Sequence, residues 1–250
     1  MITARALPDL PEIRPGDDLG ALLAGVARDS GLADDDVLVV SHKVVSKAEG
    51  CIVDLATVTP GVEAEVLAHR HGKDPRIVQV VLDQSSEVVR AEHGVLITRT
   101  HHGFVCANAG VDSSNVADVD AVITLPKDAD ASARRLRTAL RRGAGAAPAV
   151  VVADSFGRAW RHGQVDVAIG IAGLRPLADW RGREDRHGRE LRATWIATAD
   201  QVAAAADLAR VGKDSGEPAV LVGGLGAYVT LHDGHGVRAL LRDRHEDLFT

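Results

Sequence analysis

Apolar residues form two kinds of pattern along this chain, some spaced for one face of a helix and others continuous. The apolar positions of residues 19–28 recur at helical spacing, and Asp17 or Asp18 precedes them as a candidate N-cap. Continuous apolar runs of strand length predict strands buried on both faces of a sheet. Four such runs lie at residues 37–40, 121–125, 149–153 and 219–222.

Other segments have the spacing or composition of helices with one exposed side. They lie at residues 60–72, 74–90, 127–142 and 199–210. The third is basic and begins after a proline, and the fourth is rich in alanine. Thr198 and Gln201 resemble a capping box at the start of this fourth helix.

Two extended runs, residues 94–100 and 103–107, lie on either side of His101–His102 and predict a hairpin. Strands and helices mix along the chain without strict βαβ alternation. We therefore predict an α+β fold, with mixed sheets and flanking helices, rather than a Rossmann sheet.

The composition excludes several classes of protein. Its 250 residues are 46% hydrophobic and 26% charged, which is ordinary for a folded protein with a sizeable core. The net charge of −6 argues against nonspecific binding to nucleic acid or to an anionic membrane. No apolar stretch approaches the roughly 20 residues that span a bilayer. Asp9, Glu12 and Asp17 interrupt any signal peptide, so a cytoplasmic location is expected.

Cys51 and Cys106 lie in no Cys-x-x-Cys motif and no Cys/His ligand array. We interpret them as small core thiols in a reducing compartment. The histidines also have structural interpretations, since His232 and His235 flank an Asp-Gly turn. The sequence contains no P-loop, dinucleotide fingerprint or nucleophile elbow.

Two acidic segments, residues 109–115 and 154–161, are the strongest candidates for chemistry. Asp112 and Asp154 each follow an apolar run, and Ser155 adds a hydroxyl oxygen. Mg²⁺ takes one or two carboxylates and leaves its other positions to waters and substrate phosphates. The alternative is that each Asp caps the turn or helix after it. For this pair together we favour metal ligands from two separate loops, with Asp154 at the C-terminal end of the strand 149–153.

Four basic residues in two pairs are candidates for binding an anion. Arg158 and Arg161 are three residues apart, so a helix would direct both toward one anion. Lys43 and Lys47 follow the first buried strand and could meet phosphates as point charges. The alternative for all four is a solvated surface. Oxygen ligands beside cations are what phosphoryl transfer requires, so we predict a metal-dependent nucleotide enzyme.

Several long motifs, found in order from about residue 7 to 225, resemble the coenzyme F420-0:L-glutamate ligase family. The motifs are Leu10–Ile13, Gly16–Leu19, Lys43–Gly50, His102–Val116, Asp154–Arg158 and Gly163–Gly170. The resemblance implies a mixed α+β fold with two intertwined subdomains, about residues 1–90 with 190–250 and about 91–189, and a homodimer. We also expect no nitroreductase-like C-terminal extension, in contrast to the bifunctional members of the family.

The resemblance implies an amide ligase that adds L-glutamate to the phospholactyl carboxylate of F420-0, and possible further γ-glutamates. GTP would drive the reaction through an acyl phosphate, with Mg²⁺ or Mn²⁺ and, as a further ion, K⁺. By position, the metal would be held by Asp112, Asp154 and Ser155. GTP contacts would come from Leu10, Pro11, Glu12, Ile13, His42, Lys47, Asn115, Gly212, Lys213, Asp214, Ser215, Gly216 and Glu217. Catalytic cations would be Lys43, Arg158 and Arg161.

Two positions depart from the family pattern. His42 stands where relatives commonly have Ser or Gln. Lys213 stands where many have an acidic residue or Gln, and a cation there would repel a second metal ion. Two alternatives therefore stay open: a paralogous ligase for another acid or amine, and a non-catalytic protein that binds GTP or metal.

Overall fold

A computed structural model describes residues 1–114, 120–210, 212 and 216–248. Six α-helices lie in these residues: α1 Leu19–Asp29, α2 His42–Ala48, α3 Val62–His71, α4 Pro75–Asp83, α5 Ala129–Gly143 and α6 Thr198–Ala209. The strands are β1 Thr3–Ala6, β2 Val37–Ser41, β3 Ile52–Asp54, β4 Ser85–Glu92, β5 Val95–Thr100, β6 Val105–Ala107, β7 Ala121–Ile123, β8 Ala149–Arg158, β9 Arg161–Ala172, β10 Ala178–Asp179, β11 Trp195–Ile196 and β12 Ala219–Gly223. The fold is α+β, as predicted.

The main sheet has five strands in the order β1-β12-β2-β8-β9. Only β2 and β8 pair in parallel, and the other pairs are antiparallel. Val37–Val40 of β2 and Ala149–Ala153 of β8 are buried, which explains their continuous apolar sequence. Helices α5 and α6 both pack against the sheet and complete its hydrophobic core. The sheet therefore forms a rigid support for the polar residues at the ends of β2 and along β8.

A second layer contains the sheet β4-β5-β6, the pair β3-β7 and the helices α3 and α4. Two small apolar clusters hold it together: Ala64, Ala68, Val78, Val81, Leu96 and Ala109, and separately Leu55, Val80 and Val122. The large core instead joins residues 7–45 with later parts of the chain. The subdomain boundaries near residues 90 and 189 stay a prediction.

The prediction of one helix over 74–90 was wrong in its second half. Helix α4 ends at Asp83, and β4 begins at Ser85 and pairs antiparallel with β5. The Ser85 hydroxyl donates to the Val81 carbonyl at 2.6 Å and ends the helix. Local periodicity cannot detect this change, because the ladder to β5 decides the conformation of the β-branched Val88 and Val89.

Other local predictions had mixed outcomes. Asp18 caps α1 by accepting from the Ala21 N–H at 2.9 Å, as predicted. The hairpin around His101–His102 is confirmed by the antiparallel pairing of β5 with β6. The capping box at Thr198 was wrong, because the N-cap is Ala197 and makes no side-chain bond. In the described residues no helix is long and apolar enough to cross a membrane.

The long hairpin β8–β9 corrects two further expectations. Asp154 lies in the middle of β8 rather than at its end, since the strand continues to Arg158. Arg158 and Arg161 are paired across the hairpin and do not lie on a helix. The chain turns between them at Trp160, whose φ of 56° is left-handed. Alternating polar residues along 155–166 fit this hairpin, which leaves its outer half exposed.

Candidate functional site

A cavity of about 500 Å³ lies where β2, β8, β9 and three loops meet. The residues that line it are Leu10, Pro11, Glu12, Ile13, Ser41, Lys43, Val44, Lys47, Asp112, Ser114, Ala153, Asp154, Ser155, Gln164, Asp166, Arg210, Gly212, Gly216, Glu217 and Pro218. Most sequence-predicted site residues are therefore brought together, although they come from distant parts of the chain. Asn115, Lys213, Asp214 and Ser215 lie outside the described residues.

Three predicted residues do not line this cavity. Arg158 and Arg161 lie further along the hairpin, and the Arg158 guanidinium donates to the His162 carbonyl at 2.7 Å. His42 lies behind the wall, only 1% exposed, against Asp154. Their assigned roles stay predictions, but direct contact with a ligand in the cavity would require these side chains to move.

Asp112 is held by backbone pairing and by a cation. Its N–H donates to the Ile123 carbonyl at 3.0 Å, and its carbonyl accepts from the Ile123 N–H at 2.8 Å. Lys43 Nζ lies 2.8 Å from Asp112 Oδ2 and donates to Ser114 Oγ at 2.6 Å. The Ser114 N–H donates to Asp112 Oδ1 at 2.7 Å. Lys43 thereby places its charge in the wall of the cavity beside a carboxylate.

Burial acts to raise the pKa of the Asp112 carboxyl, but the hydrogen bonds from Lys43 and Ser114 outweigh it. The pKa of Asp112 is consequently lower than its ordinary value of about 3.9. The carboxylate therefore stays ionised at neutral pH and can act as a ligand for a hard cation.

Asp154 has a different environment, because a buried imidazole lies against it. His42 Nε2 is 3.2 Å from Asp154 Oδ1, and the Ser155 N–H donates to the same oxygen at 2.7 Å. Within the described residues, His42 Nε2 has no well-aligned hydrogen-bond partner. His42 Nδ1 lies 3.5 Å from the Ser46 hydroxyl. The imidazole thus supports the carboxylate from behind while Asp154 faces the cavity.

The Ser155 hydroxyl belongs to a buried polar network that the sequence analysis missed. It donates to Asp166 Oδ1 at 2.5 Å, and Arg210 lies 2.7 Å from Asp166 Oδ2. The Asp166 side chain is 3% exposed and that of Arg210 is 9% exposed. Asp166 is directly opposite Ser155 in the β8–β9 register. From the sequence, the pair of Ser155 and Asp166 could be found only by aligning the two strands of the hairpin in this register.

A second cation is presented by α2. Lys47 Nζ lies 2.5 Å from Glu12 Oε1, with the lysine side chain 9% exposed and the glutamate 69% exposed. An exposed carboxylate is weakly bound to its partner because solvent screens the pair. An incoming phosphate can therefore replace Glu12 as the partner of Lys47 without loss of a buried interaction.

The donor set fits a divalent ion such as Mg²⁺. Asp112 and Asp154 supply carboxylates, and the Ser155 hydroxyl supplies a neutral oxygen at the same cavity. Among the residues that the structure describes, no group of three or more His, Cys, Asp or Glu is arranged to hold a metal. Mg²⁺ does not require such a group, since waters and substrate phosphates complete its shell.

Comparison with known proteins decides the family. The model of the family described as F420-0:Gamma-glutamyl ligase matches residues 9–224. The chain belongs to this family. Every residue that lines the cavity falls inside the range that the family model matches. The cavity is therefore formed by the part of the chain that resembles the ligase family.

Curated relatives from the ligase family are similar over nearly the whole chain. The "Coenzyme F420:L-glutamate ligase" of Methanothermobacter thermautotrophicus is 43% identical over 242 residues, which cover 96% of this chain and 95% of the relative. The protein of the same name from Methanopyrus kandleri is 45% identical over 239 residues, covering 95% and 93%. That from Haloarcula marismortui is 41% identical over 249 residues, covering 97% and 93%.

Proposed function

We propose that this protein is a GTP-dependent ligase that joins L-glutamate to coenzyme F420-0 through an amide bond. The observation that carries the proposal is the cavity, which brings Asp112, Asp154 and Ser155 together with Lys43 and Lys47, in a chain that matches the ligase family over residues 9–224. The names of three relatives, which cover at least 95% of this chain, supply the substrates. The nucleotide and the metal come from the chemistry of the cavity and from the family resemblance.

The proposed reaction has two steps. First, a carboxylate oxygen of F420-0 forms a bond to the γ-phosphorus of GTP while the bond to the β,γ-bridging oxygen breaks and GDP leaves. Second, the amine of L-glutamate attacks the carbonyl carbon of the acyl phosphate, the C–O bond breaks, and inorganic phosphate and a proton leave. Neither step requires a protein nucleophile, so positioning and charge compensation are the main tasks of the protein.

The lysines fit those tasks. Lys43 is held by Asp112 and Ser114 in the wall of the cavity and can compensate charge on the transferred phosphoryl group. Lys47 can exchange Glu12 for a phosphate oxygen of the nucleotide. Leu10–Ile13 and the described residues of the loop 212–218 offer backbone groups and apolar contacts to the rest of the nucleotide.

The metal would be held by Asp112, Asp154 and Ser155. A divalent ion bound there would neutralise phosphate oxygens and polarise the γ-phosphoryl group. Asp166 accepts the hydrogen bond of the Ser155 hydroxyl and so orients this group, as supporting residues around metal ligands commonly do. The preference for Mg²⁺ or Mn²⁺ and the use of K⁺ also belong to this proposal.

The homodimer and the cytoplasmic location belong to the proposal as well. The hairpin tip carries Trp160, which is 83% exposed, and an exposed aromatic side chain is typical of contact surfaces. Sedimentation analysis of the purified protein measures the mass of the assembly directly, and a monomer at micromolar concentration would contradict the dimer.

The decisive experiment is mass spectrometry of F420-0 incubated with the protein, GTP, Mn²⁺ and L-glutamate. We expect a mass gain of one or more glutamyl units that requires GTP and metal together. GTP binding without any gain would reject F420-0 as the acid. A panel of other carboxylates, scored by GDP release, would then test the paralogous ligase.

A further inference from the structure

A second cavity, of about 370 Å³, adjoins the first and shares Asp112 with it. Its lining comprises Lys73, Asp74, Ile77, Val78, Val81, Leu96, Asn108, Val111, Asp112 and Ser113. Asp112 therefore separates two spaces, one that suits a nucleotide and one to which no ligand has been assigned. A ligand in the second cavity can therefore reach Asp112 from the side opposite the first cavity.

The second cavity has an apolar floor and a polar rim. Helix α4 supplies Ile77, Val78 and Val81, and β5 supplies the fully buried Leu96. Polar groups come from the loops that flank this floor, which matches the usual construction of small-molecule sites. A ligand with a short methylene chain and charged ends would complement such a surface.

Lys73 is the cation of this cavity that has no partner in the described residues. The neighbouring Asp74 is occupied by Arg76, whose guanidinium lies 2.7 Å from Asp74 Oδ2. Asp112 is occupied by Lys43. The half-buried ammonium of Lys73 is thus available for an anionic ligand, since no ion pair or hydrogen bond to a described residue involves it.

The loop before Asp112 is shaped to form one wall of the cavity. Asn108 and Ala109 have φ of 51° and 54°, conformations that residues other than glycine rarely adopt. Gly110 follows with φ of 70°, and a Cβ there would lie 2.8 Å from the Leu125 side chain. This tight turn brings Asn108 into the wall of the second cavity and places Asp112 between the two cavities.

We propose that the second cavity binds the amino-acid substrate, an anionic amino acid of the size of L-glutamate. A carboxylate pairs with Lys73, the methylenes lie on Ile77 and Val81, and the amine faces Asp112. Asn108 and Ser113 offer donors to the second carboxylate. This inference rests on the proposed ligase function, because it names the site of its nucleophile.

The size and charge of the cavity favour the amino acid over the acid substrate. Its volume is near the lower end of the roughly 300–1,000 Å³ of small-molecule sites, and a deazaflavin with a phospholactyl tail is much larger than an amino acid. Because Arg76 and Lys43 already pair with Asp74 and Asp112, Lys73 leaves about one positive charge for a ligand, which complements an amino acid with one net negative charge. The tail of F420-0 carries a phosphodiester and a carboxylate, and one lysine would leave one of these charges uncompensated.

The first test is steady-state kinetics of K73Q, K73R and the control K127Q. Lys127 is exposed and belongs to neither cavity, so it matches the loss of one lysine charge. We expect K73Q to raise KM for L-glutamate about tenfold or more, because a charged hydrogen bond is lost. KM for GTP and F420-0 should be unchanged, and K73R should retain most of the affinity. An increase in KM for F420-0 alone would overturn the assignment.

The second test is calorimetric titration of L-glutamate into the protein saturated with GDP and Mn²⁺, without F420-0. Saturable binding that K73Q loses and K127Q keeps supports the site; equal affinity in K73Q, or no binding to the wild type, overturns it. Failure of the ligase function has a separate signature, since the wild type would then bind L-glutamate without extending F420-0. Turnover with unaltered kinetics in K73Q would reject only the inference.

Discussion

Asp112 and Asp154 face the same cavity but are held in contrasting ways. Asp112 lies on a loop joined to Ile123 by one isolated bridge, and its side chain is 36% exposed beside Lys43. Asp154 lies inside a ten-residue strand, 14% exposed, with the buried His42 behind it. The contrast suggests that the first carboxylate depends on little of the fold, whereas the second lies on a buried strand, next to the Ser155 that the Asp166–Arg210 pair orients. Substitution of Asp112 should therefore reduce activity with little loss of stability, whereas substitution next to Asp154 should mainly reduce stability.

The largest effect is expected from Asp112→Asn. The amide has nearly the same shape but no charge, so it removes a metal-ligand carboxylate and the partner of Lys43. We expect turnover to fall about a hundredfold or more, as for loss of a principal electrostatic group. The melting temperature should change little, because a part-exposed ion pair contributes little to stability.

Single-turnover GDP release and a thermal melt measure these two quantities. Asp29→Asn is the matched control, because Asp29 is exposed and pairs with the adjacent Arg28. Wild-type turnover in Asp112→Asn would remove this residue from the site. A large loss of stability would contradict the proposed independence of the loop from the fold.

The opposite pattern is expected from Asp166→Asn on the Asp154 side. The substitution removes the carboxylate nearest to the buried Arg210, leaving Asp207 at 3.8 Å, and weakens the hydrogen bond that orients Ser155. Breaking a buried pair by removing one partner costs about 3 kcal/mol of unfolding free energy. Urea denaturation measures this loss. The control is Asp179→Asn, which breaks an exposed pair with Arg181 and should leave the midpoint unchanged.

A destabilisation of Asp166→Asn no larger than that of the exposed control would show that the Asp166–Arg210 pair is not part of the folding core. The comparison between the two carboxylates would then lose its energetic basis. Activity must be measured well below the melting temperature, so that reduced turnover reports the orientation of Ser155 rather than unfolding.

Sequence analysis predicted the strands and site residues that have a local pattern, and it missed the residues whose role depends on how strands and side chains pair in the fold. The continuous Val-rich runs of β2 and β12 are themselves the signal for buried strands, and the motifs located Asp112 and Lys47. Asp166 and Arg210 were missed because their partners are fixed by hairpin register and by a contact across 44 residues. The position of His42 was equally hidden, since only the fold reveals that the start of α2 lies against β8.

An intermediate effect is expected from His42→Gln. His42 does not line the cavity but lies 3.2 Å from Asp154, which does, so it should act by positioning that carboxylate. Loss of such a supporting group costs about 10–100-fold in metal affinity. Titration with Mn²⁺, followed by the electron paramagnetic resonance of the free ion, measures affinity without turnover. Equal affinity in the variant would assign His42 to packing alone.

The smallest expected effect is the pH dependence of the stability that the Asp112 carboxylate contributes. Because Lys43 and Ser114 lower the folded-state pKa of Asp112, the ionised carboxylate stabilises the fold above its unfolded pKa of about 3.9. That stabilisation is lost as pH falls through the lower, folded value. The difference in unfolding free energy between wild type and Asp112→Asn should therefore be constant from pH 7 to 5 and shrink below pH 4. Urea titrations at each pH measure it, and a difference that grows on acidification would mean that burial, not Lys43, dominates the carboxylate.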